Sequence, residues 1–272
     1  MPQATVGDIS IHYDVRGEGE PLVLINGYGG NSRAWFLEIP TFSPEFRVVT
    51  FDNRGTGDTD KPDITYTMAM MADDVSGLLD ALDIEAAHVY GVSMGGMIAQ
   101  EFTLRYPNRV ISLVLGCTTC GGRQAVRAGP EVTAYLFDAD RMKGLAPEEA
   151  ARQSLPFLFT QEYIDANPEL MQVIVAGRMA KPTPLQSYLR QAEAIFGHDT
   201  YDRLPDITAP TLVIAGTADR LVPVENSRLL ASRIPNAELV LLEGMGHGYL
   251  VQAAEEANKA IHDFLSRHRS SS

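Results

Sequence analysis

The chain has 272 residues, 45% hydrophobic and 21% charged, the balance of a globular protein large enough to bury a substantial core. Its net charge of −13 argues against a nucleic-acid or anionic-membrane surface, which needs clustered Lys and Arg. No apolar stretch approaches the roughly 20 residues of a spanning helix, and no basic segment precedes an apolar one at the N-terminus, so neither a membrane anchor nor a signal peptide is expected.

The first patterned segment, "ATVGDISIHYDVRG" (4–17), alternates apolar and polar residues and reads as an antiparallel hairpin at a sheet edge. "PLVLIN" (21–26), "FRVVTFD" (46–52), "AAHVYGV" (86–92), "RVISLVLG" (109–116), "APTLVIAG" (209–216) and "AELVLLEG" (237–244) are short apolar runs, as expected of parallel strands covered on both faces. Helices are expected between them. In 68–84, Met71, Val75, Leu78, Leu79 and Leu82 recur on one helical face. The stretches 94–107, 224–235 and 251–268 read likewise, the first stopped by Pro107. Strands alternating with helices predict an α/β architecture with right-handed crossovers. From about Gly121 to Leu204 the strand signal lapses into helical patches interrupted by Pro130, Pro147, Pro156, Pro168, Pro182 and Pro184. Residues 121–204 are therefore expected to be a helical cap or lid, with 1–120 and 205–272 forming the core domain. The closing Ser270–Ser272 reads as a tail.

The two cysteines, Cys117 and Cys120, form a lone C-x-x-C at the end of a strand-like run. Zinc needs two further ligands at metal spacing, and a thioredoxin-like motif should open a helix. Two free thiols are the expectation, in keeping with a reducing compartment.

"VYGVSMGG" (89–96) places Ser93 between Gly91 and Gly95, where a strand turns into a helix. Such a turn strains the serine backbone, needs glycines for clearance, and lifts the hydroxyl above the sheet at a helix N-terminus. A serine hydroxyl attacks only when a base takes its proton. Among the six histidines, His12 lies in the hairpin, His198 in the lid, His262 and His268 on the last helix, and His88 at the far end of the strand leading to Ser93. His247, in "LEGMGHGYL", alone follows a strand at the carboxyl end of the sheet, where open α/β folds gather their ligands. Asp219, in "IAGTADRLVP", follows another strand and is the candidate acid, whereas Asp206 lies at the wrong end. The order Ser93, Asp219, His247 fits a hydrolase triad. "INGYGGNSRAW" (25–35) supplies a glycine-rich loop after the second apolar segment, so the N–H groups of Met94 and Tyr28 are the candidate oxyanion donors.

These segments together resemble the α/β-hydrolase superfamily, in its branch of small esterases, enol-lactonases and cofactor-free haloperoxidase-like proteins. The resemblance covers nearly the whole chain outside the lid, including "FDNRGTGDTDKP" (51–62), whose Asp52, Arg54, Gly55 and Gly57 match a structural signature. It implies a mostly parallel eight-stranded sheet flanked by helices, with a helical cap insertion. It also implies a carboxylic ester or lactone hydrolase working through an acyl-enzyme on Ser93. Two departures stand out. Asn26-Gly27 replaces the usual His-Gly of the oxyanion loop, and Gly248-Tyr249 follows His247 where carbon–carbon hydrolases carry tryptophan. Carbon–carbon hydrolysis, perhydrolase or acyl-transfer chemistry with the same triad, and a hydrolase-fold ligand receptor with little turnover, stay open as alternatives.

An apolar pocket is expected from Leu136, Phe137, Phe157, Phe159, Met171 and Met179 of the lid, over Trp35 and Tyr28, although each is equally suited to the lid's own core. Arg123, Arg127 and Arg178 read as solvated. No cofactor or metal is called for, the expected partner is a small-molecule ester or lactone, and the expected location is the cytoplasm. The sequence leaves open whether the chain forms a homo-oligomer.

Overall fold

The structure, a computed structural model, describes residues 2–138, 140 and 143–269. The Ser270–Ser272 tail and part of the apolar 134–142 patch lie outside them. Eight strands form one sheet in the order β1-β2-β4-β3-β5-β6-β7-β8. They are β1 (Gln3–Val6), β2 (Ile9–Arg16), β3 (Glu20–Ile25), β4 (Phe46–Phe51), β5 (Ala87–Val92), β6 (Val110–Gly116), β7 (Thr211–Gly216) and β8 (Glu238–Leu242). The hairpin β1–β2 turns at Gly7, whose φ of +55 suits glycine, and β2 also pairs antiparallel with β4. Every other pairing is parallel. This is an α/β-hydrolase fold.

Strand periodicity splits the core into two layers. Val23, Ile25, Val49, Val89, Leu113 and Leu115 point to one face, under α2 (Met68–Ala81), α3 (Met94–Arg105) and α9 (Glu225–Arg233). Leu22, Leu24, Val48, Tyr90 and Val114 point to the other, under α1 (Glu38–Phe42) and α11 (Ala254–Arg267). β5 and β7 are buried along their whole length, which is why their sequences are apolar apart from His88 and Thr211.

Between β6 and β7 stand α4 (Pro130–Phe137), α5 (Pro147–Leu158), α6 (Gln161–Ala166), α7 (Pro168–Ala180) and α8 (Leu185–Phe196). Three of these five begin on a proline, whose missing N–H costs nothing in a helix's first turn. A third cluster, Ala151, Leu155, Phe159, Met171 and Val175, gives this insertion an apolar core of its own. Two helices end earlier than their apolar patterns. α2 stops at Ala81 because Asp83 takes a positive φ, and α3 stops at Arg105, two residues before Pro107. The last expected helix is broken at Ala253, which separates α10 (Tyr249–Gln252) from α11.

Candidate active site

β5 ends at Val92, α3 begins at Met94, and Ser93 makes the turn alone with φ 56 and ψ −121. A non-glycine residue held there stores on the order of 1–3 kcal/mol of strain, so its surroundings must over-determine it. Ser93 N–H donates to the Gly116 carbonyl at 2.8 Å, and the Ser93 carbonyl accepts from Gly96 N–H at 2.9 Å and Thr118 Oγ1 at 2.7 Å. The flanking glycines are steric necessities. A Cβ on Gly91 would stand 2.2 Å from the Gly95 carbonyl oxygen, and one on Gly95 would stand 2.1 Å from that of Ile25. The Ser93 hydroxyl makes no hydrogen bond among the described residues.

Asp219 and His247 follow β7 and β8 and meet. His247 Nδ1–H donates to Asp219 Oδ2 at 2.7 Å, while Asp219 Oδ1 accepts from the amides of Leu221 (2.8 Å) and Val222 (2.9 Å). Three donors fix the carboxylate, whose side chain is wholly buried, and the carboxylate fixes the imidazole tautomer. Burial alone would lower the His247 pKa. The adjoining Asp219 carboxylate, helped by Cys117, outweighs it and raises the imidazole well above its ordinary value. Nε2, the nitrogen left free, has Cys117 Sγ 3.9 Å away.

The 26–31 loop leaves β3 and passes directly over the elbow. A Cβ on Gly27 would lie 3.2 Å from Ser93 Cβ. The Tyr28 and Met94 amides have no intrachain acceptor among the described residues, so two donors stand unused beside Ser93. Asn26, in place of the usual histidine, is buried, and its carbonyl accepts from Asn53 Nδ2 at 3.0 Å. Asp52 accepts from the Ser32 and Asp58 amides, and Arg54 forms a buried pair with Asp74. Both therefore tie loops rather than reach the site.

The insertion grips this site from two sides through residues that no sequence motif singles out. On the oxyanion side, Gln191 of α8 accepts from Gly29 N–H at 2.9 Å and donates from Nε2 to the Arg54 carbonyl at 3.1 Å. Tyr28 Oη donates to the Tyr188 carbonyl, and Thr183 Oγ1 to the Gly29 carbonyl. On the histidine side, Gly248 N–H donates to the Leu158 carbonyl at 2.7 Å, with the Phe159 ring packed on Gly248. Gln252 ties Gly246 N–H to Thr160 Oγ1. The only sequence signal for Gln191 is a polar residue on the buried face of an amphipathic helix.

The expected pocket residues divide. Phe137 packs 5.8 Å from Tyr28, centroid to centroid, and Leu136 beside it is half-buried. Phe157 stacks on Tyr135 under Arg220. Phe159 and Met171 belong to the insertion's own core, Met179 is 39% exposed on its outside, and Trp35 is sealed in the sheet core against Tyr90. Phe159, Met171 and Trp35 are taken up because closing two separate apolar cores takes precedence over lining a cleft. Arg123, Arg127 and Arg178 are exposed. His88 is a core residue bonded to Ser112, His198 is buried and pushed down to about 4 by that burial, and His262 faces Glu45. Among the described residues, two groups of side chains able to ligate a metal converge, His12 with Asp52 and Asp58, and Cys117 with Asp219 and His247. The first is committed elsewhere, since backbone amides hold both Asp52 oxygens and Lys181 holds Asp58. Among the described residues no helix is long and apolar enough to cross a membrane.

The chain matches the alpha/beta hydrolase fold family over residues 20–254. It is 30% identical to a protein of Azorhizobium caulinodans provisionally named carbamate hydrolase RutD, covering 97% of this chain and 98% of that one. It is 34% identical to a poly(3-hydroxyalkanoate) depolymerase of Ectopseudomonas oleovorans, covering 92% and 85%. Among solved structures, the enol-lactonase from Burkholderia xenovorans LB400 superposes with a TM-score of 0.87 at 30% identity, covering 97% of this chain and all of that one. With family match, fold and elbow in agreement, this chain belongs to the α/β-hydrolase family and is similar to hydrolases over nearly its whole length.

Proposed function

We propose that the protein is a serine hydrolase of carboxylic esters or lactones, with Ser93 as nucleophile, His247 as base and Asp219 as its orienting acid. What supports this is a strained serine on the turn after β5, two amides beside it with no intrachain acceptor among the described residues, and a carboxylate-held imidazole. The Nε2 of that imidazole lies 3.9 Å from the Sγ of Cys117, the residue next to the Gly116 carbonyl that accepts from Ser93 N–H. His247 Nε2 takes the Ser93 proton as Oγ attacks the carbonyl carbon, and the Met94 and Tyr28 amides receive the oxyanion. The imidazolium then protonates the departing alkoxide. A water, deprotonated by the same nitrogen, hydrolyses the acyl-enzyme and returns the proton to Ser93. The approach of Oγ to Nε2 tightens when substrate fills the cleft, as catalytic hydrogen bonds in free enzymes commonly do.

Residues 121–204 act as a cap over a core of 1–120 and 205–272. The Phe137–Tyr28 contact supports an apolar portion of the substrate near the oxyanion loop. Two unpaired thiols suit a reducing compartment such as the cytoplasm. The test is a panel of p-nitrophenyl esters graded by acyl length, with lactones and a ring-fission dienone, on the wild type and Ser93→Ala. A fluorophosphonate probe should label Ser93, and Ser93→Ala should lose on the order of 10⁶ in turnover. Activity of Ser93→Ala within tenfold of the parent, or a ring-fission substrate preferred over every ester, would refute the reading.

A further inference from the structure

Cys117 takes no step in the hydrolytic mechanism, although its thiol lies beside the base His247. It follows β6 with a φ of 39, and its amide donates to the Ile214 carbonyl at 2.9 Å. Among the described residues, four that are not glycine have positive φ: Asp83, Asn236, Ser93 and Cys117. Aspartate and asparagine adopt that conformation readily in turns, whereas serine and cysteine do not. Ser93 and Cys117 are thus the two positions where the fold holds an unfavourable residue type, and both follow central strands at this site. The strained backbone directs the Cys117 thiol at His247 Nε2. Cys120 belongs to the core layer on the opposite face of the sheet, so the two thiols do not act as a pair.

A thiol and an imidazole nitrogen 3.9 Å apart, with a carboxylate behind the imidazole, are half of a zinc centre. At ordinary zinc bond lengths of about 2.3 Å to sulfur and about 2.05 Å to nitrogen, a separation of 3.9 Å corresponds to an angle of about 127° at the metal. Closing by a few tenths of an ångström gives the tetrahedral angle. Asp219 does not ligate, because His247 N–H and two amides already occupy it. It serves instead as the carboxylate that metal-bound histidines require on their other nitrogen.

We propose that Cys117 Sγ and His247 Nε2 bind a thiophilic divalent cation such as Zn²⁺, with water completing the shell, and that this cation switches the hydrolase off. Binding turns the thiol into a thiolate, releases its proton to solvent together with that of the imidazole where Nε2 is protonated, and occupies the lone pair that would take the Ser93 proton. The inhibitory consequence rests on His247 being the general base, whereas the binding does not.

The experiment therefore reads binding and activity separately. Zn²⁺ and Cd²⁺ are titrated into wild type, Cys117→Ala, Cys117→Ser, Cys120→Ala and Ser93→Ala, following ester hydrolysis and the ultraviolet thiolate-to-Cd²⁺ charge-transfer band. The wild type should be inhibited, with recovery on adding EDTA. The Cys117 variants should stay active but need at least about 100-fold more Zn²⁺, since losing a direct thiolate ligand costs more than the roughly 10–100-fold that follows loss of an outer partner group. Cys120→Ala should keep both inhibition and band, and inactive Ser93→Ala should keep the band. Equal Zn²⁺ sensitivity in wild type and either active Cys117 variant overturns the proposal, as does a Cd²⁺ band that is missing from wild type or Ser93→Ala, or lost with Cys120. A fully active Ser93→Ala that still shows the band would instead overturn the hydrolase mechanism and leave the metal site standing.

Discussion

Replacing Gln191 with alanine tests whether the insertion does more than cover the site. Gln191 is fully buried, and its amide group bridges Gly29 N–H of the oxyanion loop and the Arg54 carbonyl. Truncation orphans one buried donor and one buried acceptor at about 1–3 kcal/mol each, and water entering the vacated space should hold the total near the lower end, about 2–3 kcal/mol. The kinetic effect should exceed what stability explains. Gly29 adjoins Tyr28, whose N–H is one of the two proposed oxyanion donors, and removing such a donor outright costs about 10²–10³ in rate. A loosened loop weakens the donor without deleting it, so kcat should fall about 10–100-fold while KM stays nearly constant. Steady-state kinetics on a reactive ester would be read beside inhibition by a trifluoromethyl ketone, whose serine adduct carries an oxyanion. The variant should lose affinity for the ketone in proportion to kcat. A normal kcat and ketone affinity in a destabilised variant would refute the kinetic reasoning and leave Gln191 a packing residue.

Three further outcomes follow from groups elsewhere in the fold. Asp219→Asn should lose roughly 10⁴-fold in kcat through the wrong tautomer. Because Asp219 raises the His247 pKa, kcat/KM of the wild type should climb only above the ordinary histidine range, near 6.5, and the climb should move to lower pH in Asp219→Asn. A pH–rate profile unchanged in position would contradict this. Asp74→Ala strips the buried Arg54 guanidinium of its bidentate partner and should cost about 3–5 kcal/mol by chemical denaturation; a loss under 1 kcal/mol would mean that water already reaches the pair. Glu38 is buried in the sheet core, and that burial raises its pKa from 4.5 to about 8, with its own and Leu37's amides opposing. Between those two values the unfolded chain has released this proton and the folded one has not. Stability should therefore fall as pH rises through that window, by up to about 5 kcal/mol at 1.36 kcal/mol per unit. Glu38→Gln should flatten that decline in melting temperature, and an identical pH slope in the variant would refute it.

The sheet was readable because parallel strands covered on both faces are mostly apolar, and β3 to β7 follow that pattern with only isolated polar residues such as His88 and Ser112, which bond to each other. The hairpin was readable from its alternation, and the elbow from glycines that no other residue can replace. That His247 and Asp219 would meet was legible from their places after two neighbouring strands, and the two do hydrogen-bond. Contacts between segments distant in sequence were not readable. Gln191 reaches Gly29 across 162 positions, and nothing in either stretch announces the other. Cys117 was readable as a thiol at a strand end, but its orientation depends on a φ of 39 that no propensity predicts. Some of the expected pocket residues took other places for a related reason. Aromatic and sulfur side chains serve a core and a cleft equally well, and only the packing decides, as with Trp35 and Met171.

The two-sided grip of the insertion bears on how such a protein diversifies. A cap free of its base could be exchanged between relatives like a fitting, altering what enters while leaving the chemistry intact. Here Leu158 to Thr160 and Lys181 to Gln191 form a rim bonded to the histidine and oxyanion loops, while α7 turns Val173 and Met179 out to solvent. Changes on that exposed face carry little risk to the site. Recombination that cuts inside the rim should yield folded but sluggish chimaeras, and productive crossovers should carry the rim along with the core that it steadies.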